Sequence, residues 1–429
     1  MLEEVSFKKG LNFVIAIPIL NAIATSTVNY FPETLFHPGI LRATAVGLFI
    51  VWFIISGKYP NEKTSLYILL YLAFMFGLAL FSSNLSKTMN DYLKIVLSMA
   101  MYPIGYYYFK TMDAFKKLNY IYFWVLVMFI TDIIIANVFS LGSSDYLADS
   151  FYFGAARVNI TKAMILLVFI APINFLLVTP KHRKTLALIY VVGLLVALIG
   201  IKRTVLLSAI TGFIIYLMFS PHRTKILKGS IILIILIVTV FSYFLDVFFQ
   251  RFQARENRIQ LTEENLEEEA RYNELELVMN AWVEGSVKHK LIGSEFLNDR
   301  AYYGTIRMLH IDYMIVLSGS GLIGIYMWFF VYFSIIKSKN KYYKYLRSDK
   351  FFQELNAVFW MLLIAQLLLS ISGTIYSINI RSLLFLYWGA IVGLMRSEAY
   401  LKYNENTYNS SKTTLLKKMD NGNGFKSMV

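Results

Sequence analysis

Apolar residues recur along this chain in blocks of about 16–22, separated by short polar links. A block of that length covers one crossing of a bilayer core about 30 Å thick when it is helical. Twelve blocks can be placed, near residues 11–27, 38–56, 65–83, 92–109, 119–139, 161–179, 185–201, 204–219, 229–246, 312–336, 354–371 and 381–396. The seventh and eighth are short and almost continuous, so they read as a tight hairpin or a re-entrant pair. One long polar stretch interrupts the pattern. The expected organisation is therefore nine transmembrane helices in 1–249, a long extracytoplasmic loop at 250–311, three more helices in 312–396, and a disordered cytoplasmic tail at 397–429.

The loop carries its own pattern. Thr262 is placed to cap a helix, Glu263 and Glu264 follow in the first turn, and Gly285 is a stop. Leu275, Val278, Met279 and Trp282 follow helical spacing and predict one apolar stripe, pressed onto the membrane domain or the interface. Stepping back four residues from Leu275 reaches Arg271. Two readings of Arg271 stay open: an i, i+4 pair with Glu267, worth a few tenths of a kcal/mol, or a guanidinium aimed at a phosphate.

Composition agrees with a membrane protein. Of 429 residues, 57% are hydrophobic and 16% charged, and mean hydropathy is +0.55. No cysteine is present, which removes disulfides, thiol nucleophiles and thiolate metal sites. The net charge of +14 first suggests nucleic acid, but its distribution follows the positive-inside rule. With the N-terminus in the cytoplasm, Lys8 and Lys9, Lys116 and Lys117, Lys181 and Lys184, and the basic run from Lys337 to Lys350 all fall on cytoplasmic links. In the 250–311 loop acids outnumber bases. Nucleic acid is therefore not an expected partner, and both termini are expected inside. Residues 1–26 imitate a signal peptide with Ala22-Ile23-Ala24 as cleavage site; a retained first span is the favoured reading.

Candidate chemistry clusters on the opposite side. Lys202-Arg203 sits at the outer turn of the short hairpin, either snorkelling to headgroups or forming a cationic site fit for a lipid diphosphate. Arg157, Arg307 and Arg381 are weaker candidates of the same kind. His310 precedes the tenth span, three residues after Arg307 and two before Asp312. It reads either as polar packing or as a base for a hydroxyl. No metal-ligand spacing is visible, and HExxH, GxSxG and P-loop motifs are missing. Asp132, inside the fifth span, favours a transporter or a neutral interhelical hydrogen bond.

Four elements in order resemble the bacterial O-antigen polymerase (Wzy) and O-antigen ligase superfamily. They are Lys202-Arg203-Thr204, Arg271 with Trp282, Leu291-Ile292-Gly293-Ser294-Glu295, and His310-Ile311-Asp312-Tyr313 leading into Gly321-Leu322-Ile323-Gly324. Departures are Glu295 at the second glycine position, Lys202 in place of serine and Ile311 after the histidine.

The resemblance implies a GT-C-like all-α fold of about twelve transmembrane helices in a bacterial inner membrane, and a membrane glycosyltransferase. It would polymerise undecaprenyl-diphosphate-linked oligosaccharide repeat units into a surface polysaccharide. It implies no cofactor and no metal, with a chain-length regulator as a further partner. Arg203 and Arg271 would clamp the diphosphate and His310 would act as base. Lys202, Arg157, Arg307, Asp312, Tyr313 and Trp282 would line the substrate. The alternatives are ligase-type transfer to another acceptor, a peptidoglycan polymerase of the SEDS family, and a twelve-span flippase or transporter. The last predicts two similar halves, which the chain lacks.

Overall fold

A computed structural model describes residues 2–30, 38–139, 157–199, 203–224, 227, 270–298, 303 and 309–422. Every regular element among them is helical. In chain order the α-helices are α1 (Leu2–Tyr30), α2 (Pro38–Ile55), α3 (Lys63–Ala79), α4 (Leu85–Met99), α5 (Met101–Tyr108), α6 (Met112–Val138), α7 (Arg157–Val168), α8 (Ala171–Leu177), α9 (Arg183–Ile199) and α10 (Arg203–Phe219). Further along the chain come α11 (Ala270–Glu284), α12 (Val287–Ile292), α13 (Asp312–Leu346), α14 (Lys350–Leu369) and α15 (Ile378–Gly422).

The expectation of twelve spans in a GT-C-like scaffold is corrected. Among the described residues six helices are long and apolar enough to cross a membrane: Glu4–Thr27, Pro38–Ile55, Met112–Ala136, Asp312–Leu346, Lys350–Ser372 and Ile378–Asn404. A seventh is added if α7 and α8, bent by 45° at their junction, count as one. The hydropathy pattern measures apolar content and not helix continuity. Block 92–109 breaks at Ala100 into α4 and α5. Blocks 65–83, 185–201 and 204–219 become helices of 17 residues each, about 26 Å long against a core of about 30 Å. Pro172, which has no N–H to give, lies at the bend between α7 and α8. Block 229–246 lies outside the described residues.

The tail also differs from expectation. α15 continues beyond its apolar part to Gly422, because extending a formed helix needs no new nucleus.

α15 forms the middle of the bundle and is buried along almost its whole apolar length. It crosses α5 backbone to backbone: a Cβ at Gly389 would lie 2.1 Å from the Tyr102 carbonyl oxygen. Small residues at such crossings are how membrane helices approach closely.

α3 and α13 run antiparallel, which defines two ends of the bundle. At one end Ser338 Oγ donates to Glu62 Oε1 (2.9 Å) and Thr64 Oγ1 to the Ser334 carbonyl (3.1 Å). At the other, Ser82 and Ser83 meet the segment after α12. α13 is broken there. Gly321 has φ 61° and ψ −161°, a conformation that L side chains avoid. The break accepts the 291–297 segment beside it: Ser294 N–H donates to the Ser318 carbonyl (2.9 Å). A Cβ on Gly321 would lie 2.4 Å from the Leu291 carbonyl carbon.

Gly321→Ala is therefore expected to lower stability by about 1–3 kcal/mol and to release 291–297 from the break. Thermal unfolding in detergent, with proteolysis of that segment, measures both; an unchanged melting temperature would contradict this docking.

Candidate functional site

The end of the bundle carrying the α13 break also carries His310. Two residues later, Asp312 opens α13 and is fully buried. Its Oδ1 accepts from Thr374 N–H (2.7 Å) and Ile375 N–H (2.9 Å); its Oδ2 accepts from Thr374 Oγ1 (2.7 Å) and the Arg381 guanidinium (3.2 Å). Arg381 is also 0% exposed. Asp312 thus joins α13 to the turn between α14 and α15, and Arg381, first considered as an outer cation, belongs to that joint.

Lys162 of α7 holds the same turn from its other side, donating to the carbonyls of Ser372 and Gly373 (both 2.8 Å). Gly373 has φ 77°, and a Cβ there would lie 2.4 Å from the His310 carbonyl oxygen. Tyr313 is fixed by a bond from its hydroxyl to the Leu367 carbonyl (2.6 Å) and by stacking on Phe329. The position of His310 is therefore set by three packed elements.

A partner arrives from the loop helix. Glu274 of α11 is buried, and its Oε2 accepts from the His310 backbone N–H (2.8 Å) while Oε1 faces ring Nδ1 at 2.9 Å. A carboxylate only accepts, so Nδ1 carries the proton and Nε2 is the basic nitrogen. The imidazole remains about one-third exposed.

The stripe expected on α11 divides between the bundle and the surface. Val278 is buried, but Leu275 is 41% and Met279 37% exposed. The inward face is turned toward Glu274 because the helix docks on a polar backbone as well as on apolar side chains. Trp282 is half-buried and donates to the Lys290 carbonyl (3.2 Å), tying α11 to α12.

Arg271 is the second residue of α11, three positions before Glu274. Arg157 is the first residue of α7 and Arg203 the first of α10. α7 begins near the Ser372–Gly373 turn, through Lys162. α10 runs antiparallel to α14, since Tyr216 and Ser220 near its end bond Glu354 near the start of α14. The helix starts bearing Arg157 and Arg203 therefore share the His310 end. The side chains of these three arginines, and all of Lys202 and Arg307, lie outside the described residues, as does the expected cap Thr262. Asp132 is buried in α6. Among the described residues no group of three or more His, Asp or Glu is placed to hold a metal ion.

Sequence reasoning missed Glu274, Lys162, Thr374 and Gly373. Glu274 lies 36 residues from His310, and Lys162 about 210 from its partners; no local spacing links them. Glu295, noted only as a departure from a glycine pattern, also has a role. Its Oε2 accepts from Ser83 N–H (3.1 Å), Ser83 Oγ (3.0 Å), Asn298 Nδ2 (3.3 Å) and Ser82 Oγ (3.4 Å). Burial acts to raise this carboxyl, but the bonds from Ser83, Asn298 and Ser82 outweigh it and hold it below its ordinary 4.5.

No family model matches the chain, and no curated protein matches it. The functions expected from the resemblance, polymerisation with ligation or lipid transport as alternatives, all rest on a twelve-span scaffold. Six or seven membrane-length helices among the described residues overturn that basis, and those readings are withdrawn.

Two outcomes follow from this geometry. Asp312→Ala leaves Arg381 buried without its counter-charge and is expected to cost about 3–5 kcal/mol, read as a fall in the unfolding midpoint; a change under 1 kcal/mol would refute the joint. The depressed Glu295 carboxyl stabilises its docking above its ordinary value, and that contribution is lost as pH falls through the lower folded value. Hydrogen exchange at 291–298 is expected to accelerate across that acid range in the wild type, with no such step in Glu295→Gln. An identical step in the variant would assign it to another group.

Proposed function

We propose that the chain is a multi-pass membrane enzyme of the transferase class, with His310 as general base and Glu274 as the residue that orients it. The observation that carries this reading is the two-point grip of the Glu274 carboxylate on His310. It fixes the ring against a carboxylate while the side chain stays about one-third exposed. A buried carboxylate that only needed a hydrogen-bond partner would not require an exposed imidazole. The backbone positions of Arg157, Arg203 and Arg271 support an anionic substrate, since cationic side chains favour negative charge.

The donor class proposed is a polyprenyl-diphosphate-linked glycan, which brings its own leaving group. The enzyme then has two tasks, to hold the diphosphate and to take a proton from the attacking hydroxyl. The His310 end faces outward and both termini face the cytoplasm of a bacterial cell, in keeping with the basic links at the other end. Polymer growth, ligation and transport form no part of this reading.

The test uses full-length protein in nanodiscs with a lipid-diphosphate-linked oligosaccharide, and measures release of the free lipid diphosphate. Wild type is expected to release it. His310→Ala should lower the rate by about 10²–10⁴-fold, and Glu274→Gln should lower it while the unfolding midpoint stays within a few degrees. No release by wild type, or equal rates for wild type and His310→Ala, would refute the assignment.

A further inference from the structure

The loop helices α11 and α12 keep a run of apolar side chains outside the bundle. Leu275, Met279 and Val283 of α11 and Val287 and Leu291 of α12 are all exposed, Val287 to 73%. Counted at about 100° per residue from Glu274, α11 has three sides. Glu274, Val278 and Trp282 fall within about 0–80° and pack on the bundle or on α12. Leu275, Met279 and Val283 fall within about 100–180°. The exposed Glu276, Asn280 and Glu284 fall within about 200–280°, with Leu277 beyond them. One side is packed on protein, the next is apolar and the third is polar. That is the arrangement of a helix at a bilayer surface.

The depth of this element follows from α13. No charged residue lies between Asp312 and Lys337, so Lys337 marks the edge of the apolar core at the basic end. Gly321 precedes it by 16 residues, about 24 Å of helix in a core about 30 Å thick. The Leu291 carbonyl carbon lies 2.4 Å from the place of a Cβ on Gly321. α12 therefore ends level with the apolar core, on its His310 side. Leu322 and Ile323, next to Gly321 on α13, are exposed at the same level, where an exposed side chain meets lipid. Leu291 joins the apolar side of the loop helices to that lipid-facing surface.

We propose that α11 and α12 are seated in the bilayer leaflet on the His310 side. Acyl chains lie against Leu275, Met279, Val283, Val287 and Leu291, and water lies against Glu276, Asn280 and Glu284. The bilayer then supports α11 along the side next to the one that carries Glu274. This surface does not depend on the reaction assigned to His310.

The chain has no cysteine, so each introduced one carries a single nitroxide. Val283→Cys, Val287→Cys, Glu276→Cys and Asn280→Cys are labelled in the full chain in nanodiscs. Collisions with oxygen, which concentrates among acyl chains, are compared with collisions with a water-soluble nickel chelate. Labels at 283 and 287 are expected to favour oxygen several-fold over labels at 276 and 280. The same preference at all four positions overturns the proposal. Low collision with both reagents at 283 and 287 also overturns it, because protein, such as a second copy of the chain, then covers the face. A measurement on wild type needs no variant: nanodiscs are made with a phospholipid carrying a diazirine along its acyl chain. Carbene insertion is expected within 275–291, and its absence there overturns the proposal.

Discussion

One buried carboxylate organises the end of the molecule that carries His310. Asp312 is removed from water together with Arg381, a placement that costs several kcal/mol per ion unless every lone pair finds a donor. On Asp312 each does: two backbone N–H groups, one hydroxyl and one guanidinium converge on two oxygens, while Nε and Nη1 of Arg381 stay buried without a hydrogen bond among the described residues. That requirement decides which way α13 starts, how the turn after α14 closes and where α15 begins. Lys162 braces the turn from α7, so four helices meet at one joint.

His310 inherits its position from that joint. It precedes α13 by two residues, and its carbonyl rests against Gly373, where no side chain would fit. The loop helix α11 then needs only one polar contact, through Glu274, to bring a carboxylate to the imidazole. The break in α13 at Gly321 supplies a second anchor for the loop, with Glu295 as a third on Ser82 and Ser83. The carboxylate and imidazole of this pair are thereby held by packed elements on both sides.

The bond between Asn21 and Ser382 follows from the same start of α15. α15 uses Arg381 to face the joint and Ser382, one residue later, to face Asn21. Adjacent residues on a helix point about 100° apart. One helix N-terminus thereby serves two polar sites without either sharing a side chain with the other.

The sequence by itself determined the membrane class and the helical content. Apolar block length and the one long polar interruption were enough for those, since bilayer thickness and backbone hydrogen bonding leave few solutions. It also singled out His310, and its glycine patterns marked Gly293 and Gly321 as a pair of elements. It overcounted spans, because apolar content at 92–109 and 161–179 does not reveal that the helices break at Ala100 and near Pro172. It grouped Leu275, Val278, Met279 and Trp282 on one face of α11, but spacing shows a face and not what the face meets. The partnerships of Glu274 with His310, Asp312 with Arg381 and Lys162 with the Gly373 turn were decided only by tertiary structure. Each joins residues dozens to hundreds of positions apart, and a buried polar group chooses its partner by where the packed helices bring one within hydrogen-bond reach.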